Sequence, residues 1–489
     1  MTTPLTSFTP MAIILISAFA VLPISLSGKR RNLREFWTFL AGFLKLGLLC
    51  TLLEPVLHGV PVQWEICKIL PGISLHLKVD SFGLLFAFVA CSLWIPTSLY
   101  CIGYMRGLNE HAQTRFFACF ALALSATAGV AFAGNLLTMY LFYEILSLST
   151  FPLVAHHQDG EARTGGRKYL TYLLATSIGF VLPAMVITYQ ITGTLEFSSL
   201  GLFSSSESPE KLLVLLLLFL FGFAKSGLMP FHSWLPGAMV APTPVSALLH
   251  AVAVVKVGVF CNLRVITGVF GISLLRDTSL DNIICLVAGV TVILSSLIAL
   301  SQDNLKRRLA FSTVGQLSYI ILGAGLAESY GVKGAMLHIS MHAFGKITLF
   351  MCAGAIFVAS GKKYISQMAG LGRRMPFTFG AFFIGSLSVI GLPPAGGFIS
   401  KWMLLNGTIA SEHWEMMVVL LGSSLLNAAY FFPIVYQAFF GKSEESHSSE
   451  RQEASLACTL PLCLTALVSI VLFFYPEPFL SLASLAVGG

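Results

Sequence analysis

Apolar residues fall along this chain in long unbroken runs separated by short polar connectors, and within the runs they do not alternate with polar positions. Fourteen such runs, numbered here as spans 1 to 14, occupy residues 11–28, 36–57, 81–104, 116–134, 136–157, 169–192, 211–231, 244–270, 280–300, 309–328, 334–359, 376–399, 414–440 and 456–475. About 20 apolar residues in a helix cross the hydrocarbon layer of a bilayer. Strands of a membrane barrel would show period-two alternation, so the pattern predicts transmembrane helices, which satisfy their own backbone groups in lipid.

Two of the runs are interrupted in a similar way. Residues 222–237 read GFAKSGLMPFHSWLPG and residues 391–402 read GLPPAGGFISKW, each combining proline, glycine and one lysine. Pro230 in the first, and Pro393 and Pro394 in the second, cannot continue the helical hydrogen-bond ladder. Breaks at membrane depth survive where protein or a wet cavity satisfies the freed backbone groups. Their presence in both halves of the chain predicts a transporter built from repeats, with its site at the breaks. No residue-level repeat is visible, so placement alone supports that expectation.

Composition narrows the class. Of 489 residues, 56% are hydrophobic and 10% charged, and the mean hydropathy is +0.83. So much apolar surface cannot be hidden inside a water-soluble fold. Connectors are short throughout, so residues 1–489 are predicted to form a single polytopic membrane domain without a long C-terminal extension. The opening MTTPLTSFTP lacks a basic leader region, and Lys29, Arg30, Arg31 and Arg34 follow the first run instead. Span 1 is therefore expected to remain in the mature protein.

Charge sets the orientation. Eighteen of the 29 basic residues lie in odd-numbered loops and five in even-numbered loops. The positive-inside rule then places the odd loops in the cytoplasm and both termini on the non-cytoplasmic side of a bacterial or archaeal inner membrane. The net charge of +7 is a topology signal, and no nucleic-acid partner is indicated. Ten cysteines without a CxxC pair suggest neither an iron–sulfur cluster nor a structural zinc site. No nucleotide-binding glycine motif is present, so no cofactor and no metal are expected.

Nine ionisable residues within spans are candidates for chemistry: Lys45, Glu144, Lys225, His250, Lys256, His338, His342, Lys346 and Lys401. A charge at the centre of a membrane helix costs about 2.5–3.5 kcal/mol on insertion scales, so each needs a partner or a purpose. Glu144 is the only acid central to a span; beside a lysine its proton affinity would follow that neighbour's charge, or the pair could merely lock two helices. Lys225 and Lys256 are buried amines able to relay protons near neutral pH. His338, His342 and Lys346 repeat at i, i+4, i+8 and so form one polar stripe on span 11. A proton wire suits them better than a metal, because no acid or cysteine accompanies them. His250 and Lys256 lie six apart, on different faces. Lys45 is open between snorkelling, contact with a neighbouring chain and function. His156, His157 and His232, at helix ends or breaks, are expected to be solvated.

PFHSWLPGAMVAPTPVSALLHA (230–251), ALSQDNLKRRLAFSTVGQLSY (299–319), HISMHAFGK (338–346) and GLPPAGGFISKW (391–402) carry a family resemblance. The chain resembles the antiporter-like subunits shared by respiratory complex I, Mrp-type cation/proton antiporters and energy-converting membrane hydrogenases. The resemblance covers spans 3 to 13. It implies an all-α integral membrane fold of about 14 transmembrane helices with inverted repeats over helices 4 to 8 (residues 116–270) and 9 to 13 (residues 280–440), and with helices 7 and 12 broken. It further implies a mid-membrane chain of proton-transferring residues matching Glu144, Lys225, Lys256 with His250, His338 and His342, and Lys401. Lys45 matches no family motif.

Among the branches, complex I M-type subunits carry glutamate where Lys401 stands, and the L-type and large A-type Mrp subunits carry long C-terminal extensions. The remaining pattern is similar to the D-type subunits of Mrp complexes, although TPVSALLHA is also similar to the L type. The expected function is a proton-translocating subunit of an Mrp-type Na⁺ or K⁺/proton antiporter. The alternative is a proton-pumping membrane-arm subunit of a complex I-like oxidoreductase or a membrane-bound hydrogenase, with the redox chemistry in other subunits. Both readings imply other membrane subunits as partners.

Overall fold

The computed structural model describes residues 4–70, 73–442 and 451–488, except the side chains of residues 70 and 248–251. The chain folds as an all-α membrane body. Its helices are α1 (Thr9–Leu26), α2 (Arg31–Leu57), α3 (Ser81–Gly107), α4 (Gln113–Ala131), α5 (Leu136–Val154), α6 (Gly160–Thr192) and α7 (Pro209–Gly222). They continue as α8 (Thr243–Ala251), α9 (Val254–Val265), α10 (Leu280–Ser301), α11 (Leu305–Gly325) and α12 (Ser329–Ser360). The last five are α13 (Pro376–Ile390), α14 (Gly397–Ala410), α15 (Trp414–Phe440), α16 (Leu456–Phe474) and α17 (Glu477–Ala486).

Among the described residues, ten helices are long and apolar enough to cross a bilayer: α1 to α6, α10, α12, α15 and α16. The other four expected spans are shorter, interrupted, or begin on the polar turn Lys306–Arg308, as α11 does. Several starts are written locally in the sequence. The side chains of Asp80, Asn135, Asp159 and Asn304 accept main-chain N–H groups of α3, α5, α6 and α11 at 2.8, 2.8, 2.7 and 3.1 Å, as N-caps do.

The helix α12 lies at the centre, with 78% of its most apolar stretch buried, against 33% for α1, α2 and α15 at the periphery. Large apolar side chains on the peripheral helices, such as Phe43, Leu286 and Leu425, are exposed, as lipid-facing positions must be.

No strand was expected from the hydrophobic pattern, yet residues between α2 and α3 form an antiparallel hairpin of β2 (Val62–Leu70) and β3 (Ile73–Val79), with β1 (Leu5–Thr6) parallel to β2. Val62 faces Val79 and Gln63 faces Lys78 in its register. Ile73, Leu77 and Val79 are buried, so this connector covers one end of the helical body.

A cavity of 1040 Å³ opens on one face. Its walls include Glu110, His157, His232, Arg307 and Lys362, so five odd-numbered loops converge on one side of the molecule. Lys78, Ser198, Arg264, Val332 and Leu485 surround a smaller hollow of 460 Å³ formed by even-numbered loops and the C-terminal segment.

Candidate functional site

The first break follows Gly222. The chain makes a short 3₁₀ turn over Ala224–Ser226 and then a left-handed residue, Gly227, at φ +73°. Its freed groups are met by side chains: the Trp234 indole N–H donates to the Ala224 carbonyl at 3.0 Å, and the Lys225 N–H donates to the Tyr143 hydroxyl at 3.3 Å. This is how irregular backbone survives away from water. Lys225, fully buried on this turn, donates through Nζ to the Tyr143 carbonyl at 2.8 Å and to Ser147 Oγ at 2.6 Å. The ammonium also lies 3.0 Å from the centre of the Tyr143 ring. Tyr143 and Ser147 are i and i+4 on α5 and share one inward face.

Glu144, the intervening residue, points off that face. It is half-buried, and its turn of α5 also presents exposed Leu141, Ile145 and Leu148. Both carboxylate oxygens are shielded and accept no hydrogen bond from the described residues. The structure has no Glu144–Lys225 contact within ion-pair distance, and Lys225 is held by neutral oxygens instead.

Lys256 lies in the first turn of α9, just beyond a second interruption at Val252 and Ala253. Span 8 was expected to be continuous, and HAVAVVK offers neither proline nor glycine as a signal. Lys256 Nζ is 2.8 Å from His342 Nδ1, and both residues are fully buried. His342 and His338 stack on α12 with ring centres 5.5 Å apart. His338 then contacts Ser400 Oγ at 2.9 Å through Nδ1 and Gln316 Oε1 at 3.1 Å through Nε2, while its ring stacks on Tyr319 at 5.7 Å.

The other predicted break follows α13. Gly391 ends that helix at φ +89°, and α14 begins six residues later, past Pro393 and Pro394. Lys401 Nζ donates back to the Ile390 carbonyl at 3.0 Å and to Ser424 Oγ at 3.1 Å, and sits 4.5 Å above the Tyr319 ring. An ammonium at a helix C-terminus meets both an orphan carbonyl and the negative end of the dipole. Tyr319 thus touches both His338 and Lys401, closing a chain of contacts from Lys256 through His342 and His338 to the second break. Lys346 forms a branch: its Nζ donates to Ser312 Oγ at 2.8 Å, and the Tyr430 hydroxyl donates to the same oxygen at 2.8 Å.

His250 lies outside the residues whose side chains are described. Lys45 neither snorkels nor reaches the surface: fully buried, it donates to Ser17 Oγ at 2.9 Å and to the Leu124 carbonyl at 2.7 Å. His156, expected to be solvated, is fully buried at the end of α5, while His157 and His232 remain partly exposed on the cavity wall. Sequence reasoning passed over Tyr143, Ser147, Ser312, Gln316, Tyr319, Ser400, Ser424 and Tyr430. Their one sequence signal is a hydroxyl or amide within an apolar span, and serine is too common in membrane helices for that to single them out.

A multi-pass helical protein with buried amines and imidazoles at interrupted helices is of the ion-translocating class. Residues 133–427 match the family described as NADH:quinone oxidoreductase/Mrp antiporter, TM, and the chain belongs to it. It is 28% identical to NADH-quinone oxidoreductase subunit N of Desulforudis audaxviator over 98% of both chains. It is 33% identical to the A-type subunit of the Na(+)/H(+) antiporter of Alkalihalophilus pseudofirmus over 83% of its own length, but spans only 53% of that protein. Among solved structures, a chain of the membrane-bound sulfane sulfur reductase, an archaeal respiratory membrane complex, superposes with TM-score 0.88 at 26% identity, covering 98% of this chain and 97% of that one. A chain of the Mrp complex from Dietzia sp. shares the fold with TM-score 0.84 at 21% identity, with the same coverage. These prokaryotic likenesses and the apolar helices make this a multi-pass membrane protein.

Proposed function

We propose that this chain carries protons across the prokaryotic cytoplasmic membrane as one member of a multisubunit complex. The observation that carries the reading is the contact chain Lys256–His342–His338–Tyr319–Lys401, buried and made largely of groups that can take up or release a proton. Lys225 enters beside it, because α9 packs Gly258 directly against the Lys225 turn. Glu144 follows Tyr143, the residue that holds Lys225, and sits on the outward shoulder of α5, where a neighbouring chain of the complex could set its charge and through it the proton affinity of Lys225. The two halves, residues 116–270 and 280–440, act as inverted repeats, each contributing a lysine at a broken helix. Both termini lie on the non-cytoplasmic side, and the large basic-lined cavity faces the cytoplasm.

The driving reaction has two readings. The first is exchange of Na⁺ or K⁺ for protons in an Mrp-type complex, with this chain in a D-type place. The second is a redox-driven pump, favoured by the sequence likeness over nearly the full length of a respiratory oxidoreductase subunit and of a respiratory complex chain. Copurification separates them: small hydrophobic partners alone support the antiporter, and iron–sulfur or nickel–iron subunits support the pump. The proton path itself is tested by Lys225→Ala in the assembled complex reconstituted in vesicles. Acidification should fall about a hundredfold; an undiminished rate would falsify the path.

A further inference from the structure

The loop joining α3 to α4 brings Glu110 and His111 against the C-terminal end of α5, where His156 and His157 follow one another. Glu110 Oε2 lies 4.0 Å from His111 Nδ1, 3.8 Å from His156 Nε2 and 3.6 Å from His157 Nδ1. Donor atoms of Glu110, His111 and His157 all fall within 4.8 Å of one another, the only such group among the described residues. Two residues of left-handed backbone, Asn109 at φ +50° and Ala112 at φ +49°, bracket Glu110 and His111 and turn the loop back on α5.

A second observation is independent of that clustering. His156 has 0% side-chain exposure, yet neither ring nitrogen has a hydrogen-bond partner. A buried imidazole with both nitrogens unused is costly. Its Nε2 lies 3.8 Å from the same carboxylate oxygen that the other two imidazoles approach, and its ring lies 4.7 Å from that of His111. Arg115, the nearby cation, donates to the His156 carbonyl at 2.9 Å and so braces the backbone of this residue.

We propose that Glu110, His111 and His157, with His156 as fourth donor, form a binding site for Zn²⁺ or a divalent ion of similar imidazole affinity. Tetrahedral zinc with bonds of about 2.0–2.1 Å holds its ligands roughly 3.4 Å apart. Glu110 Oε2 lies 3.6–4.0 Å from the three imidazoles, and the donor atoms of Glu110, His111 and His157 fall within 4.8 Å of one another, so side-chain rotation must draw the ligands together, with His156, outside that group, moving farthest. Imidazole donors with one carboxylate select zinc-like ions over Na⁺, K⁺, Mg²⁺ or Ca²⁺, which take oxygen ligands. Glu110 and His157 line the 1040 Å³ cavity, so an ion can enter from that face. Once bound, it would tie the α3–α4 loop to the end of α5, the helix whose Tyr143 and Ser147 hold Lys225.

The test is Zn²⁺ titration of the purified, assembled protein by calorimetry, with Co²⁺ as a spectroscopic probe. We expect one equivalent per chain and the intense visible bands of tetrahedral cobalt. His111→Gln with His157→Gln should weaken binding at least tenfold, roughly the loss that disturbing a metal shell brings. His413→Gln should leave binding unchanged, because His413 pairs with Asp281 and Glu415 elsewhere in the molecule. If the double variant does not assemble, Glu110→Gln alone should abolish the tetrahedral cobalt spectrum. Absence of a saturable equivalent, or affinity unchanged in these site variants, overturns the proposal whether or not the protein translocates protons.

Discussion

Lys256 and His342, 86 residues apart in the chain, are joined by a 2.8 Å hydrogen bond between Nζ and Nδ1. A bond between two bases is carried by one shared proton, so losing either partner breaks the same contact. Lys256→Met should reduce proton translocation about a hundredfold. His342→Ala should reduce it comparably, and the double variant should be no worse than either single one. Vesicle acidification rates check this; additive losses would show two independent relays.

Gly391 holds a backbone conformation that a side chain resists, and a β-carbon there would lie 2.4 Å from Lys401 Cδ. Gly391→Ala should therefore cost roughly 1–3 kcal/mol of stability and also dislodge the lysine. Thermal unfolding in detergent and transport should both decline. A loss of stability with full transport would mean that the position of Lys401 does not matter.

Gly258 lets α9 approach the first break closely, since a β-carbon would fall 2.1 Å from the Ser226 nitrogen and 2.3 Å from the Lys225 carbonyl carbon. Those are backbone atoms that cannot swing aside. Gly258→Ala should destabilise by about 1–3 kcal/mol, whereas Gly47→Ala, with nothing within 4 Å, should be neutral or slightly stabilising. Equal unfolding temperatures for the two variants would contradict the packing described.

Asp80 caps α3 and bridges two nitrogens of the Arg264 guanidinium, one of them at 2.6 Å. Burial opposes ionisation of this carboxyl, yet the Arg264 charge and hydrogen bonds prevail and hold it below its ordinary value of 3.8. A lowered folded-state value means that the pair stabilises the fold above that range and loses its effect as pH falls through the folded value, below about pH 4. Asp80→Asn should cost about 1 kcal/mol at neutral pH, the pair being partly exposed. The difference from the parent chain should shrink towards zero under acid. A difference independent of pH would assign the effect to the cap alone.

Lys45 has two neutral oxygens and no carboxylate within ion-pair distance. Lys45→Met fills nearly the same space without a buried charge, so stability should be unchanged or higher by up to roughly 2 kcal/mol, with transport intact. Reduced transport at normal stability would add Lys45 to the proton path.

Much of this is legible in the sequence. Continuous apolar runs forecast the long helices, and Pro230, Pro393 and Pro394 marked two breaks because proline leaves a local, unavoidable signature. Lys225, Lys256 and Lys401 stood out because charge in lipid is rare. The interruption before Lys256 was hidden, since its residues suit a continuous helix and tertiary packing overrides them. The hairpin over residues 62–79 was missed because its apolar alternation is short and sits between much stronger signals. The partners of the lysines were invisible for another reason: Tyr319 reaches both His338 and Lys401 only because α11, α12 and α14 meet in space.

The bond from Lys401 to the last carbonyl of α13 has a mechanical side. An ammonium grips a helix end more firmly than a neutral amine does, in hydrogen bonding and in its response to the dipole. On the proposed path, the proton on Lys401 would therefore strengthen the clasp between the two half-helices. By thermodynamic reciprocity, a neighbouring chain that drew α13 and α14 apart would then alter how tightly Lys401 holds that proton.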